Sequence, residues 1–203
     1  MAGIYTLTVT TTPKAWPRNY DLTRTTKHAR AGLGLHPQLV AERSGEIKLW
    51  EEYLPQARYI GEVGLDAGPQ YFRSLAQQQL VFTHILKKCG EANGKILSVH
   101  SVRAAKPVLG LIESHLPRER GKVVLHWFTG SNSEAPSRRW RHRVRAARFQ
   151  CQHKDELALR VRERISGLIL NIKRFPAVHV SWKRSAVLGR RAFCAALLPA
   201  HRL

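Results

Sequence analysis

Acidic residues are scarce in this chain: 14 Asp+Glu stand against 34 Lys+Arg in 203 residues, for a formal net charge of +20. Such an excess favours nucleic acid or another polyanion as a partner. Cysteine is also sparse. Cys89, Cys151 and Cys194 are odd in number and widely spaced, which excludes a disulfide framework and a zinc knuckle, and a reducing, cytoplasmic setting is expected. No run of 18 apolar residues occurs, so no membrane span is expected. The opening MAGIYTLTVTTTPKAW lacks a cationic segment followed by an apolar one, which argues against a secretory signal. What is present is globular in character: 43% hydrophobic and 24% charged residues, with 14 Gly and 10 Pro. That is enough chain for one domain with a real core.

The charge is unevenly spread. Residues 1–131 carry 17 Lys+Arg and 10 Asp+Glu, whereas residues 132–203 carry 17 Lys+Arg and only 4 Asp+Glu. Patterning divides the chain at the same place. Tyr5–Thr11 is short and β-branched, and Lys14–Ala29 is polar, a helix or a loop. Ala31–Leu35 reads as a buried strand stopped by His36-Pro37, and Arg58–Leu65 as another strand. Helical spacing of Ile47, Leu49, Trp50, Tyr53 and Leu54 predicts a helix over Ile47–Leu54. Tyr71–Cys89 is the clearest helix, with Phe72, Leu75, Leu80, Phe82, Ile85 and Leu86 near a 3.6 period and Gly90 and Gly94 bracketing its end. Ile96–His100, Ala104–Leu116 and Val123–Phe128 continue as strand, helix and strand. This alternation implies βαβ units and a parallel sheet covered by helices. After Ser131 the pattern fails: residues 136–148 read PSRRWRHRVRAAR, and Ile165–Ile172 and Ala192–Leu198 suit strand or helix equally.

Three predicted strands carry metal-binding residue types at or near their C-terminal ends: Glu62, His100 and His126. Parallel barrels present those ends to one mouth, where active sites sit. Imidazole with carboxylate suits zinc, manganese or nickel. A metal there would acidify a bound water and polarise an ester oxygen. A single histidine in a strand is more often a core or surface residue, but a glutamate in an apolar strand is rarer, because burying an unpaired carboxylate is costly. Gly61 and Gly64 on either side of it suggest close backbone approach.

The segments GLHP (Gly34–Pro37), GEVGLD (Gly61–Asp66), VHSVRA (Val99–Ala104) and LHWFTGS (Leu125–Ser131) resemble, in order and spacing, those of TatD-type metal-dependent hydrolases, the TatD-related DNases. VTTTPKAW (Val9–Trp16) looks like the TatD-like proteins of Qat-type anti-phage clusters. The resemblance covers about residues 3–135 and implies an α/β fold of (β/α)8 TIM-barrel, amidohydrolase-like type, incomplete in this chain. It implies a hydrolase of ester bonds, a deoxyribonuclease cleaving phosphodiesters, with DNA as substrate and protein partners in a defence cluster. Two divalent ions per site (Mg, Mn or Zn) are implied, with Glu62 resembling the carboxylate that bridges them and acts in catalysis. His100 and His126 resemble the histidines that bind one ion each, and His36, Asp66 and Arg103 would bind substrate or support the ligands. Arg103 could hold a phosphate or equally a structural salt bridge.

Two family features find no counterpart. The chain opens at what resembles the family's second strand, without the His-x-His pair of the first, and no Thr-Asp pair follows Ser131, where Asp155 is the sole aspartate. The expected organisation is therefore a partial barrel over 1–135, corresponding to strands 2 to 6, followed by a basic, Arg-rich segment over 136–203 that reads as out-of-frame translation. Two alternatives stay open beside the enzyme: an inactive remnant of one, and a nucleic-acid-binding protein using its basic segment.

Overall fold

The computed structural model describes residues 5–27, 29–126, 144–146 and 192–197, of which 5, 6, 126 and the last two segments are described by backbone alone. Five strands run parallel: β1 (Tyr5–Thr10), β2 (Ala29–Leu33), β3 (Tyr59–Asp66), β4 (Lys95–Val102) and β5 (Gly121–His126). Two more strands flank them. β6 (Val144–Ala146) adds to β5 in parallel, and β7 (Ala192–Leu197) adds to β1 antiparallel. The order is β6-β5-β4-β3-β2-β1-β7. Helices α1 (Trp16–Arg24), α2 (Val40–Arg43), α3 (Ile47–Tyr53), α4 (Leu75–Ala92) and α5 (Ala105–His115) occupy the crossovers. This is the parallel α/β arrangement that the alternation implied, an incomplete arc of the TIM-barrel type. Among the described residues, no helix is long and apolar enough to cross a membrane.

Strand residues alternate between two faces. Leu33, Ile60, Val63, Leu65, Leu97, Val99, Val123 and Leu125 point into one core with Trp50, Phe82, Ile85, Leu86, Val108 and Ile112 from the helices. Each large side chain so buried contributes about 1.5–3 kcal/mol relative to its exposed state. At the N-terminal end of β4, the buried Lys95 donates from Nζ to the carbonyls of Leu54 and Ala57, both at 2.8 Å, and so ties the segment after α3 to the sheet.

Several sequence expectations shift in detail. Lys14–Ala29 resolves into a 3-10 turn at Pro13–Ala15 and then α1. The long helix begins at Leu75, after a 3-10 turn at Phe72–Ser74, and ends at Ala92. Phe72 and Leu80, assigned to its apolar face, are 61% and 73% exposed. The buried stripe is Gln78, Phe82, Ile85, Leu86, Cys89 and Gly90, and Leu80, two residues from both Gln78 and Phe82, falls on the opposite face of the helix. Gly90 therefore lies inside the helix, and Asn93 and Gly94, with φ of 56° and 67°, end it. Ala192–Leu197, open between strand and helix on sequence, is a strand. Ile165–Ile172 lies outside the described residues.

Candidate active site

The C-terminal ends of β2, β3 and β4 converge on one cluster. β3 supplies Glu62 and Asp66, β4 supplies His100, and the turn after β2 supplies His36 and Gln38. His36 is fixed by its own N–H, which donates to the Thr11 carbonyl at 2.9 Å beyond the end of β1. Pro37 then opens a 3-10 turn in which the Gln38 N–H donates to His36 Nδ1 at 3.3 Å.

Strict alternation along β3 would put Glu62 on the same face as Ile60, in the helix-packed core. The register of β3 against β4 shifts between Ile60 and Val63, so Gly61 and Glu62 both fall on the inner face. A Cβ at Gly61 would lie 2.8 Å from the Ser98 Cβ, and one at Gly64 would lie 2.2 Å from the His100 carbonyl oxygen. Both glycines thus permit the close backbone approach that their flanking positions suggested.

His100 is the hub. Its Nδ1 is 2.9 Å from Glu62 Oε1 and its Nε2 is 3.0 Å from Asp66 Oδ2. The His36 ring meets it edge-on with centroids 4.8 Å apart, and His36 Nε2 lies 3.6 Å from Glu62 Oε2. Glu62 and Asp66 are 1% and 3% exposed, so bare carboxylates here would be costly without donors. Burial by itself lowers the His100 pKa, but the bonds to Asp66 and Glu62 outweigh it and lift the imidazole to about 9. Burial by itself raises the Asp66 pKa, and donation from His100, Gln38 and the Gly68 N–H outweighs that and brings it to about 2. Without a metal, the two carboxylates on either side of the ring favour its charged form.

The cluster gathers four of the six residues singled out in the sequence: His36, Glu62, Asp66 and His100. Arg103 follows β4 on the same rim, exposed and with a φ of 51°. His126 ends β5 with its backbone in register with His100, and its side chain lies outside the described residues, as does Asp155. Sequence reasoning passed over Gln38 and Gln78. Gln38 Nε2 donates to Asp66 Oδ2 at 2.7 Å, and only its place just after His36-Pro37 could have drawn attention. Gln78 had a clearer signal: a polar residue on the stripe shared by Phe82, Ile85 and Cys89.

His36, Glu62 and His100 each offer one ligand atom, all within 4.8 Å of one another, a mixed imidazole–carboxylate set that fits a divalent cation. The model of a family described as TatD related DNase matches residues 2–139 of this chain. A solved structure, that of YjjV, a TatD homolog from Escherichia coli K12, is 25% identical with a TM-score of 0.53. The match covers 64% of this chain and 50% of the other, so the chain spans about half the length of that protein. No curated protein matches.

Proposed function

Since the chain belongs to the TatD-related DNase family, we propose that it is a metal-dependent hydrolase of ester bonds and that its substrate is DNA, cleaved at phosphodiesters. The observation that carries this reading is the His100 ring, held at Nε2 by Asp66 with its Nδ1 facing Glu62. A histidine whose far nitrogen donates to a carboxylate has its other nitrogen available as a ligand, and the carboxylate makes that nitrogen more basic.

In this reading Glu62 and His100 would hold divalent ions (Mg, Mn or Zn), with His126 as a further ligand and Glu62 as the catalytic carboxylate. The bound metal would supply charge stabilisation at the ester oxygens and acidify a water. The residues of the chain do the rest. Asp66 orients the His100 ring and receives its Nε2 proton as a hydrogen bond. His36 accepts the Gln38 N–H on Nδ1 and lines the site with its Nε2 3.6 Å from Glu62 Oε2. Arg103, on the exposed rim, suits a substrate phosphate.

The likeness of Val9–Trp16 to TatD-like proteins of Qat-type clusters supports a place in anti-phage defence, with partners encoded alongside it. The change in composition near residue 135 supports reading 136–203 as out-of-frame, which the nucleotide sequence around that codon tests. A second reading, polyanion binding through the basic segment, rests on the charge concentrated in residues 132–203, and DNA affinity that does not fall with rising salt would remove it.

The deciding experiment is DNA cleavage by purified protein in Mn2+ or Mg2+. Cleavage that Glu62→Ala abolishes would establish the activity in this chain. Protein that binds Mn2+ but cuts neither DNA nor small phosphodiesters would instead be an inactive member of the family.

A further inference from the structure

Gln78 lies in the middle of the apolar stripe of α4 and is fully buried, at 0% exposure. A buried primary amide is costly unless its donors and acceptor are used. Here they all are, and they converge on one residue and the turn that follows it. Gln78 Oε1 accepts the Asp66 N–H at 2.8 Å, and Gln78 Nε2 lies 3.2 Å from the Asp66 carbonyl oxygen. The same nitrogen is directed at the Tyr71 carbonyl at 3.1 Å and at Ser74 Oγ at 3.0 Å. One side chain thus grips Asp66 by both main-chain groups and fastens it to the start of α4.

The gripped residue is the one whose side chain is most constrained. Asp66 Oδ1 accepts from the Gly68 N–H at 2.8 Å, and Oδ2 accepts from Gln38 at 2.7 Å and faces His100 Nε2 at 3.0 Å. With backbone and carboxylate both fixed, the direction in which Asp66 meets the imidazole is set from α4, outside the mouth itself. An apolar residue would fill the same place on the stripe without the cost of burying an amide. Packing therefore does not account for glutamine at this position, whereas its bonds to Asp66 do.

We infer that Gln78 is a positioning residue for the candidate metal centre: it holds the Asp66 main chain so that the carboxylate fixes the His100 ring with Nδ1 turned toward Glu62. This rests on the metal-site reading above, and one of the two measurements below is independent of it.

The proteins to compare are full-length wild type, Gln78→Met, Gln78→Glu and Ile85→Val. Met keeps the length and removes every hydrogen bond. Glu keeps an acceptor for the Asp66 N–H. Ile85→Val trims the core on the same helix and controls for stability alone. Proton NMR of the metal-free proteins is expected to show a downfield ring N–H signal in wild type, identified by its loss in His100→Asn. The signal should disappear in Gln78→Met, persist in Ile85→Val and return in part in Gln78→Glu, which also serves if the Met variant does not fold. Calorimetric titration with Mn2+ should show affinity reduced ~10–100-fold in Gln78→Met, as for loss of an outer partner of a metal ligand, and unchanged in Ile85→Val. A Gln78→Met protein that keeps both the signal and the affinity overturns the inference. So does a wild type without the signal, or an equal loss in Ile85→Val. If wild type shows the signal and takes up no Mn2+, the metal reading falls, and the signal comparison still decides the role of Gln78.

Discussion

Asp66 and His100 meet through Oδ2 and Nε2 at 3.0 Å, one residue from the end of β3 and the other from near the C-terminal end of β4. Opposite on the ring, Nδ1 faces Glu62, so the Asp66 contact decides which nitrogen is left for a metal. Asp66→Asn keeps the shape and removes the charge. Its expected effect is a loss of about 10–100-fold in Mn2+ affinity with the fold retained, read by calorimetry and circular dichroism. Unchanged affinity would mean that Asp66 does not orient the ring.

The same contacts make the stability of the metal-free protein depend on pH, with a sign that can be worked out. His100 is raised to about 9 in the fold, above the ~6.5 of an unperturbed histidine. Its contribution is complete below ~6.5 and is lost as pH rises toward 9. Asp66 is lowered to about 2 from 3.8, so its contribution is present above 3.8 and is lost as pH falls toward 2. Thermal midpoints are therefore expected to be highest between roughly pH 4 and 6.5. The decline between 6.5 and 9 should be absent in His100→Gln. Parallel declines in the two proteins would count against the imidazolium.

Gly64 sits at φ 130° with the His100 carbonyl where a side chain would begin. Gly64→Ala should cost at least about 2 kcal/mol, from steric overlap and an unfavourable backbone. At Gly45 a methyl group would meet nothing within 4 Å, so Gly45→Ala should change stability by less than about 1 kcal/mol. Denaturant unfolding measures both, and equal effects would be inconsistent with the packing of β3 on β4.

Leu80 and Phe82 separate periodicity from burial on α4. Phe82 is 1% exposed and Leu80 73%. Phe82→Ala is expected to cost about 3–5 kcal/mol and Leu80→Lys to stay within about 0.5 kcal/mol, both measured by denaturant unfolding. A large loss at Leu80 would show that its side chain is covered in solution.

The sequence by itself determined the alternation of strands and helices, because apolar β-branched runs and a 3.6-residue period are local properties of a chain. It also pointed to Glu62, His100 and His126 as strand-end candidates, since parallel strands deliver their C-terminal ends to the same side, whereas Asp66 entered only through the family resemblance. The tertiary structure decided what no local pattern encodes. The phase of α4 is set by what packs beneath it, which left Leu80 outside and brought Gln78 in. Glu62 shares the parity of Ile60 along the strand, and only the register shift of β3 against β4 turns it from the helix-packed core to the inner face. Register between strands depends on pairing across dozens of residues, so the direction of that carboxylate, and with it the candidate site, is a property of the assembled sheet.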